Sequence, residues 1–133
     1  MIVNILLFIC VAMTMEVVFT AVADGIKKRD LSLTGKTYLW MAPIYAVVYP
    51  AFVLLWPTIG GWPWFARGGL YVVLVYSVEF ASGWILRRSL GACPWDYGRA
   101  RWAVDGLIRL DYAPAWFGAT MLYESLFKHL SHA

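Results

Sequence analysis

The sequence predicts an all-α membrane protein, a compact four-transmembrane-helix bundle with an interfacial or re-entrant segment before the last helix. Of its 133 residues, 62% are hydrophobic and only 14% are charged, which is more apolar surface than a soluble domain of this size can bury. The apolar residues also form four runs of about 20 residues, the length that crosses the hydrocarbon core of a bilayer. The runs cover residues 1–23, 38–56, 68–86 and 112–130, and the interfacial segment covers residues 91–109.

The distribution of basic residues predicts the orientation. Apart from Arg67 and Lys128, the Lys and Arg side chains fall in two loops, one after the first run and one before the last. By the positive-inside rule both loops are cytoplasmic and both termini lie outside, as in an integral multi-pass protein of the cytoplasmic or plasma membrane. So little sequence lies outside the runs that we expect one domain over residues 1–133. Because the basic residues are confined to these loops, the net charge of +3 does not indicate nucleic-acid binding.

The first run is expected to be retained as a helix. Ala21-Val22-Ala23 is similar to a signal-peptidase site, but no basic residue precedes the run and Glu16 interrupts it. Basic residues follow the run directly, which is unlike a cleaved signal. Cys10 then lies in the outer part of this helix and Cys93 in a cytoplasmic loop, so we expect two free thiols.

Acidic residues recur inside the first and third helices. Glu16 and Thr20 share one helical face. Glu16 lies eight residues before Asp24, and Glu79 likewise lies eight residues before Arg87. Both glutamates are therefore expected roughly 12 Å above the cytoplasmic interface, where two carboxyls could meet and one would keep its proton. A carboxyl at this depth costs roughly 2.5–3.5 kcal/mol on insertion scales, so each should face protein or water. The two glutamates could therefore either hold neighbouring helices together by hydrogen bonds or form a ligand site.

The second run contains two prolines. Pro43 and Pro50 each remove a backbone hydrogen bond, which leaves the carbonyl groups of Leu39 and Ala46 without their helical donors. This predicts either a kinked packing helix or a bent wall whose carbonyl groups face a cavity. The Gly- and Trp-rich residues 57–69 that follow predict an outer interfacial turn without chemistry.

A compact turn at residues 91–98 follows the third run. Pro94 and its flanking glycines favour the turn, and Trp95 and Tyr97 are expected at the level of the lipid headgroups. Residues 99–109 mix arginines with apolar residues, so they could lie in the interface or dip into it and return. The arginines expected to bind anionic lipid headgroups are Arg88, Arg99, Arg101 and Arg109.

The last run begins near Asp111 and carries Trp116, Thr120 and Glu124 at spacings of four. These three side chains share one helical face. Glu124 is expected closer to the outside than the other two intramembrane glutamates.

Several blocks of this sequence together resemble a known family. Glu-Val-Val-Phe-Thr-Ala at residues 16–21, the Glu79-containing helix and Cys-Pro-Trp-Asp-Tyr at residues 93–97 are similar to the transmembrane protein 229 family. They are more loosely similar to bacterial type IV ABC-transporter-like membrane proteins. The resemblance is good over the C-terminal half and implies a compact four-helix membrane protein, without implying a reaction. Asp111 departs from the glutamate expected in the family, and the sequence has no Walker motif for ATP hydrolysis.

Three functions are compatible with these residues. The first is a polar site that binds or transports a small cation or an amphiphilic or lipid ligand. The second is an accessory or assembly subunit of a larger membrane complex, and the third is a lipid-modifying enzyme that uses Cys93 or Asp96. An enzyme is the less favoured reading, and no catalytic residue, metal or cofactor is assigned. Expected partners are membrane lipids and either a second copy or a larger complex. The candidate ligand-binding residues are Glu16, Thr20, Glu79, Arg87, Cys93, Trp95, Asp96, Tyr97, Trp116 and Glu124.

Overall fold

The computed structural model describes residues 1–132 and is mostly helical. The α-helices are α1 (Ile2–Lys28), α2 (Met41–Ala46), α3 (Val48–Ile59), α4 (Trp64–Leu90) and α5 (Ala113–His132). Between α4 and α5 lie a two-stranded antiparallel hairpin, β1 (Ala103–Val104) and β2 (Ile108–Arg109), and a 3-10 turn at Leu110–Tyr112. The backbone forms two compact units, residues 1–51 and the part from Phe52 onward. The single domain expected over residues 1–133 stays a prediction, and Ala133 lies outside the described residues.

Among residues 1–132, three helical segments are long and apolar enough to cross a membrane: Ile2–Lys28, Met41–Ile59 and Trp64–Leu90. The second consists of α2 and α3 together. Helix α5 has 20 residues, but Glu124, Lys128 and His129 make it too polar to belong with these three. The predicted first three spans are thus confirmed as apolar helices, while a membrane-spanning α5 stays a prediction.

Two helices extend past the predicted ends of their apolar runs. Helix α1 continues to Lys28 and α4 to Leu90, so both include basic residues in their last turns. Positive charge at a helix C-terminus is favourable because it opposes the negative end of the helix dipole. Each helix stops at a residue with positive φ, Arg29 at 51° and Gly91 at 79°.

The predicted proline kink in the second span is confirmed as a break. Helix α2 ends at Ala46 and α3 begins at Val48. Pro50 has no N–H to donate to the Ala46 carbonyl, so the helical ladder is interrupted there. The ladder resumes where the Ala51 amide donates to the Val47 carbonyl at 3.0 Å.

In the first unit, the loop after α1 runs back along that helix. The Thr20 hydroxyl accepts a 2.8 Å hydrogen bond from the Lys36 amide. Gly35 packs so closely that a Cβ there would lie 2.0 Å from the Val17 carbonyl oxygen. Thr37 then reaches Glu16, which is 12 residues before the end of α1, so the loop returns about 18 Å along the helix axis.

In the second unit, the segment expected to be interfacial or re-entrant contains the β-hairpin. Its register pairs Ala103 with Arg109 and Val104 with Ile108. Asp105, Gly106 and Leu107 connect the strands, and the first two have φ of 53° and 67°. Asp-Gly between apolar residues is a strong hairpin signal that the sequence analysis missed.

Candidate functional site

Glu79 in α4 is the best-defined candidate of the predicted ligand-binding residues. Its side chain is buried, with the residue only 8% exposed. One carboxylate oxygen, Oε1, accepts a 2.8 Å hydrogen bond from the Tyr97 hydroxyl. The predicted turn at residues 91–98 therefore contacts the buried Glu79 carboxylate.

Residues 93–112, here called the hairpin cap, are held against one face of α4. The Tyr76 hydroxyl donates to the Arg109 carbonyl at 2.8 Å. Further along α4, a Cβ on Gly83 would lie 2.9 Å from Leu107 and 3.1 Å from Trp95. The absence of a side chain at Gly83 thus allows the cap to pack directly on the helix.

The cap itself is braced by hydrogen bonds that run between its turn and its hairpin. The buried Trp95 indole N–H donates to the Leu107 carbonyl at 3.1 Å, and the Tyr97 amide donates to the Gly106 carbonyl at 2.9 Å. The Asp96 carboxylate accepts from the Gly98 amide at 2.8 Å and so closes the turn. Trp95 and Asp96 therefore have clear structural roles, and Tyr97 is the member of this group that bonds to Glu79.

Arg87 is bonded to the cap. It is a predicted ligand-binding residue, and its guanidinium donates to the Asp105 carbonyl at 2.7 Å and the Asp105 carboxylate at 3.2 Å. Arg87 thereby ties the hairpin turn to the end of α4.

Arg109 also has an acidic partner. It donates to both carboxylate oxygens of Asp111 at 2.9 and 2.7 Å and to the Tyr112 hydroxyl at 3.0 Å. These bonds lower the pKa of Asp111 and raise the pKa of Arg109. Arg109 is therefore less suited to headgroup binding than the sequence predicted.

Other arginines of the predicted lipid-contacting set lie over exposed aromatic rings. The Arg88 guanidinium is 4.7 Å from the centre of the Trp84 ring, and that of Arg101 is 5.6 Å from Trp102. Arg99 is exposed. Exposed cation–aromatic pairs of this kind suit the membrane interface, so headgroup binding stays a prediction for these three arginines.

Cys93 is a free, half-buried thiol, and Cys10 is free as well, which confirms the expectation of two free cysteines. Burial raises the pKa of Cys93 and outweighs the opposing effect of Arg87. An enzyme that uses Cys93 as a nucleophile would need a lowered thiol pKa, and the raised pKa is the opposite of that requirement. The sulfur packs toward Gly83 beneath the cap.

In the first unit, Glu16 has hydroxyl partners. Its Oε2 atom accepts from Thr37 at 2.9 Å and from Tyr45 at 3.0 Å. Thr20, predicted on the same face, holds the returning loop through Lys36. The predicted meeting of the Glu16 carboxyl with the second glutamate stays a prediction.

A buried charge cluster in the second unit was missed by the sequence analysis. Glu124 is 1% exposed, and its carboxylate accepts from Arg67 Nε and Nη2 at 2.8 Å each, from the Tyr71 hydroxyl at 2.8 Å and from Lys128 Nζ at 2.6 Å. Arg67 also donates to the Trp62 carbonyl. Glu124 was a predicted site residue, but Arg67 had been placed in a turn without chemistry. The sequence did contain a signal for this pair, because Arg67 and Glu124 are opposite charges that each stand among apolar residues.

Thr120 and Trp116, the other predicted residues of α5, are not among the donors to the Glu124 carboxylate. The Thr120 hydroxyl donates within its own helix to the Trp116 carbonyl at 2.8 Å. The Trp116 side chain is half-buried. Within residues 1–132, no three His, Cys, Asp or Glu side chains are grouped as metal ligands would be.

Three helical segments that are long and apolar enough to cross a membrane define a small multi-pass membrane protein, and Glu79 and Glu124 are its buried acids. Residues 3–132 match the family described as "Putative ABC-transporter type IV", and the chain belongs to this family. The predicted relation to type IV ABC-transporter-like membrane proteins is thereby confirmed. No solved structure matches the chain.

Proposed function

We propose that this protein binds, and carries across the membrane, a small cation or a cationic amphiphile at a site centred on Glu79. The observation that carries the proposal is the buried Glu79 carboxylate inside an apolar helix, hydrogen-bonded to Tyr97 of the cap. An ionisable side chain inside a membrane helix is costly and commonly marks an ion or substrate path. Membership in a transporter-like family supports transport over a purely structural role.

The charges around Glu79 favour a cationic ligand. Arg87 of α4 and Arg109 of the cap are ion-paired to Asp105 and Asp111. The Tyr97 hydroxyl donates a hydrogen bond to Glu79, and the Tyr97 ring contacts Tyr112 edge to face. A carboxylate beside aromatic rings attracts cations through both its charge and the ring faces.

Uptake into liposomes containing the purified protein tests this proposal. The probe is labelled tetraphenylphosphonium, an amphiphilic cation. We expect uptake by the wild type and a loss of at least tenfold in Glu79→Gln, because the amide keeps hydrogen bonding but has no charge. Tyr97→Phe should lower uptake, whereas the matched variant Tyr71→Phe, which removes a hydroxyl from Glu124, should not. Uptake that is equal in wild type and Glu79→Gln would refute a transport role for the carboxylate.

An accessory subunit of a larger membrane complex is the second candidate function. It is favoured by Glu16 and Glu124, whose carboxylates are bonded to side chains of their own units as packing contacts would be. Copurification of a stoichiometric partner from native membranes, with no uptake by the isolated protein, would support it. A homodimer would appear in the same experiment as a doubled mass.

We extend the proposal to a closer family relation and to the orientation in the membrane. The motifs at residues 16–21 and 93–97 support a relation to the transmembrane protein 229 family. The basic loops support cytoplasmic placement of the hairpin cap and outside placement of both termini.

A further inference from the structure

The cluster around Glu124 contains more positive than negative charge. Arg67 and Lys128 are both ion-paired to the same carboxylate, Glu124, at 2.8 and 2.6 Å. Both cations also lie over the Trp56 ring, at 5.6 Å for Arg67 and 4.9 Å for Lys128. Two cations and one carboxylate leave an excess positive charge in a largely apolar part of the second unit.

Glu124 cannot accept a further cation without losing a partner, because four donors already occupy its two oxygens. The cations, in contrast, keep unused donors. Lys128 has three N–H groups and uses one on Glu124, and Arg67 has five and uses two on Glu124 and one on Trp62. The Lys128 side chain is 40% exposed, so a ligand can reach it.

We propose that Arg67 and Lys128 form a binding site for a phosphate-type anion, either the headgroup of an anionic lipid or free phosphate. Glu124 holds the two cations together, and Trp56 lies beside both. An anion would balance the excess charge and take up the unused donors. The site lies by the interhelical turn that contains Trp62, next to Trp64, and such aromatic residues are typical of headgroup level.

The melting temperature of the purified protein in a neutral detergent tests this site. Inorganic phosphate is added in one series and short-chain phosphatidylglycerol in another, each against chloride at equal ionic strength. We expect the anion to raise the melting temperature, since a ligand that binds only the folded state stabilises it. In Lys128→Gln the apparent affinity should fall about tenfold, and Lys128→Arg should keep most of it. Lys27→Gln, which makes the same charge change at an exposed lysine, should bind as the wild type does.

The two series distinguish the sources of the anion. Stabilisation by both ligands supports a general phosphate site, and stabilisation by the lipid alone supports a headgroup site. Either result needs the loss in Lys128→Gln to count as support. No stabilisation in either series, or equal stabilisation of wild type and Lys128→Gln, would overturn the proposal. Both outcomes are independent of whether Glu79 takes part in transport.

Discussion

Arg67 and Arg87 each form an ion pair, but the two pairs differ in how much water surrounds them. The Arg67 and Glu124 side chains are 10% and 1% exposed, whereas those of Arg87 and Asp105 are 35% and 60% exposed. Removing one partner of a buried pair leaves an uncompensated charge, while an exposed partner is solvated by water. The two arginines should therefore contribute very differently to stability.

Arg67→Met should lower the free energy of unfolding by roughly 3–5 kcal/mol, the range for breaking a buried pair in soluble proteins. The matched variant Arg87→Met should lower it by about 0.2–1 kcal/mol. Reversible unfolding in mixed micelles measures both. Equal losses in the two variants would contradict the burial of the Glu124 cluster. Arg67→Met combined with Glu124→Gln should recover part of the loss, since no charged carboxylate then lacks its guanidinium.

The Cys93 thiol gives a pH-dependent prediction. Burial raises its pKa, so at a given pH a smaller fraction is thiolate than in an exposed cysteine. In a Cys10→Ser variant, the rate of alkylation by iodoacetamide should rise with pH and reach its midpoint above about 8.5, the value of a free thiol. A midpoint below that value would indicate an activated thiolate and would revive the enzyme hypothesis.

At the level of the helices, two adjacent glycines in α4 have different surroundings. A Cβ on Gly68 would lie 2.2 Å from the Phe117 ring of α5, whereas a Cβ on Gly69 would meet nothing within 4 Å. Helix α5 thus approaches α4 directly over Gly68.

Gly68→Ala should destabilise the protein by about 1–3 kcal/mol, because the added methyl group forces Phe117 or the helix to move. Gly69→Ala should be neutral or stabilise by up to about 1 kcal/mol, since alanine is the better helix former. Thermal unfolding of the two variants in the same detergent compares them. Equal melting temperatures would show that α5 does not pack on α4 in this way.

Elements whose cause is local could be predicted from the sequence. The break between α2 and α3 follows from the missing N–H of Pro50, and α1 follows from a continuous apolar run. The Arg67–Glu124 pair joins residues 57 positions apart, so periodicity along one helix could not reveal it. The hairpin was missed for a different reason, because the arginines around Asp105-Gly106 were read as an interfacial pattern. Tyr97 bonds to Glu79, and its turn follows the Glu79 helix directly in the sequence, but its expected level at the lipid headgroups stays a prediction.

At the scale of the whole molecule, the two basic loops predict the orientation in the membrane. Cysteines introduced at Asp30 and Ala100, in a variant without Cys10 and Cys93, should resist a membrane-impermeant maleimide in intact cells. Both should react once the membrane is opened, because positively charged loops stay in the cytoplasm. Labelling of either position from outside would reverse the predicted orientation.

The central claim is that Glu79 contacts a ligand through its charge and does not only pack the bundle. Equilibrium binding of labelled tetraphenylphosphonium to the purified protein, alongside its melting temperature, tests this most directly. We predict that Glu79→Gln melts close to the wild type but binds at least tenfold more weakly, because the amide still hydrogen-bonds with Tyr97 but cannot attract a cation. Glu79→Ala should lose both binding and stability. If Glu79→Gln binds the cation as tightly as the wild type does, the carboxylate is a packing contact and the proposed site is wrong.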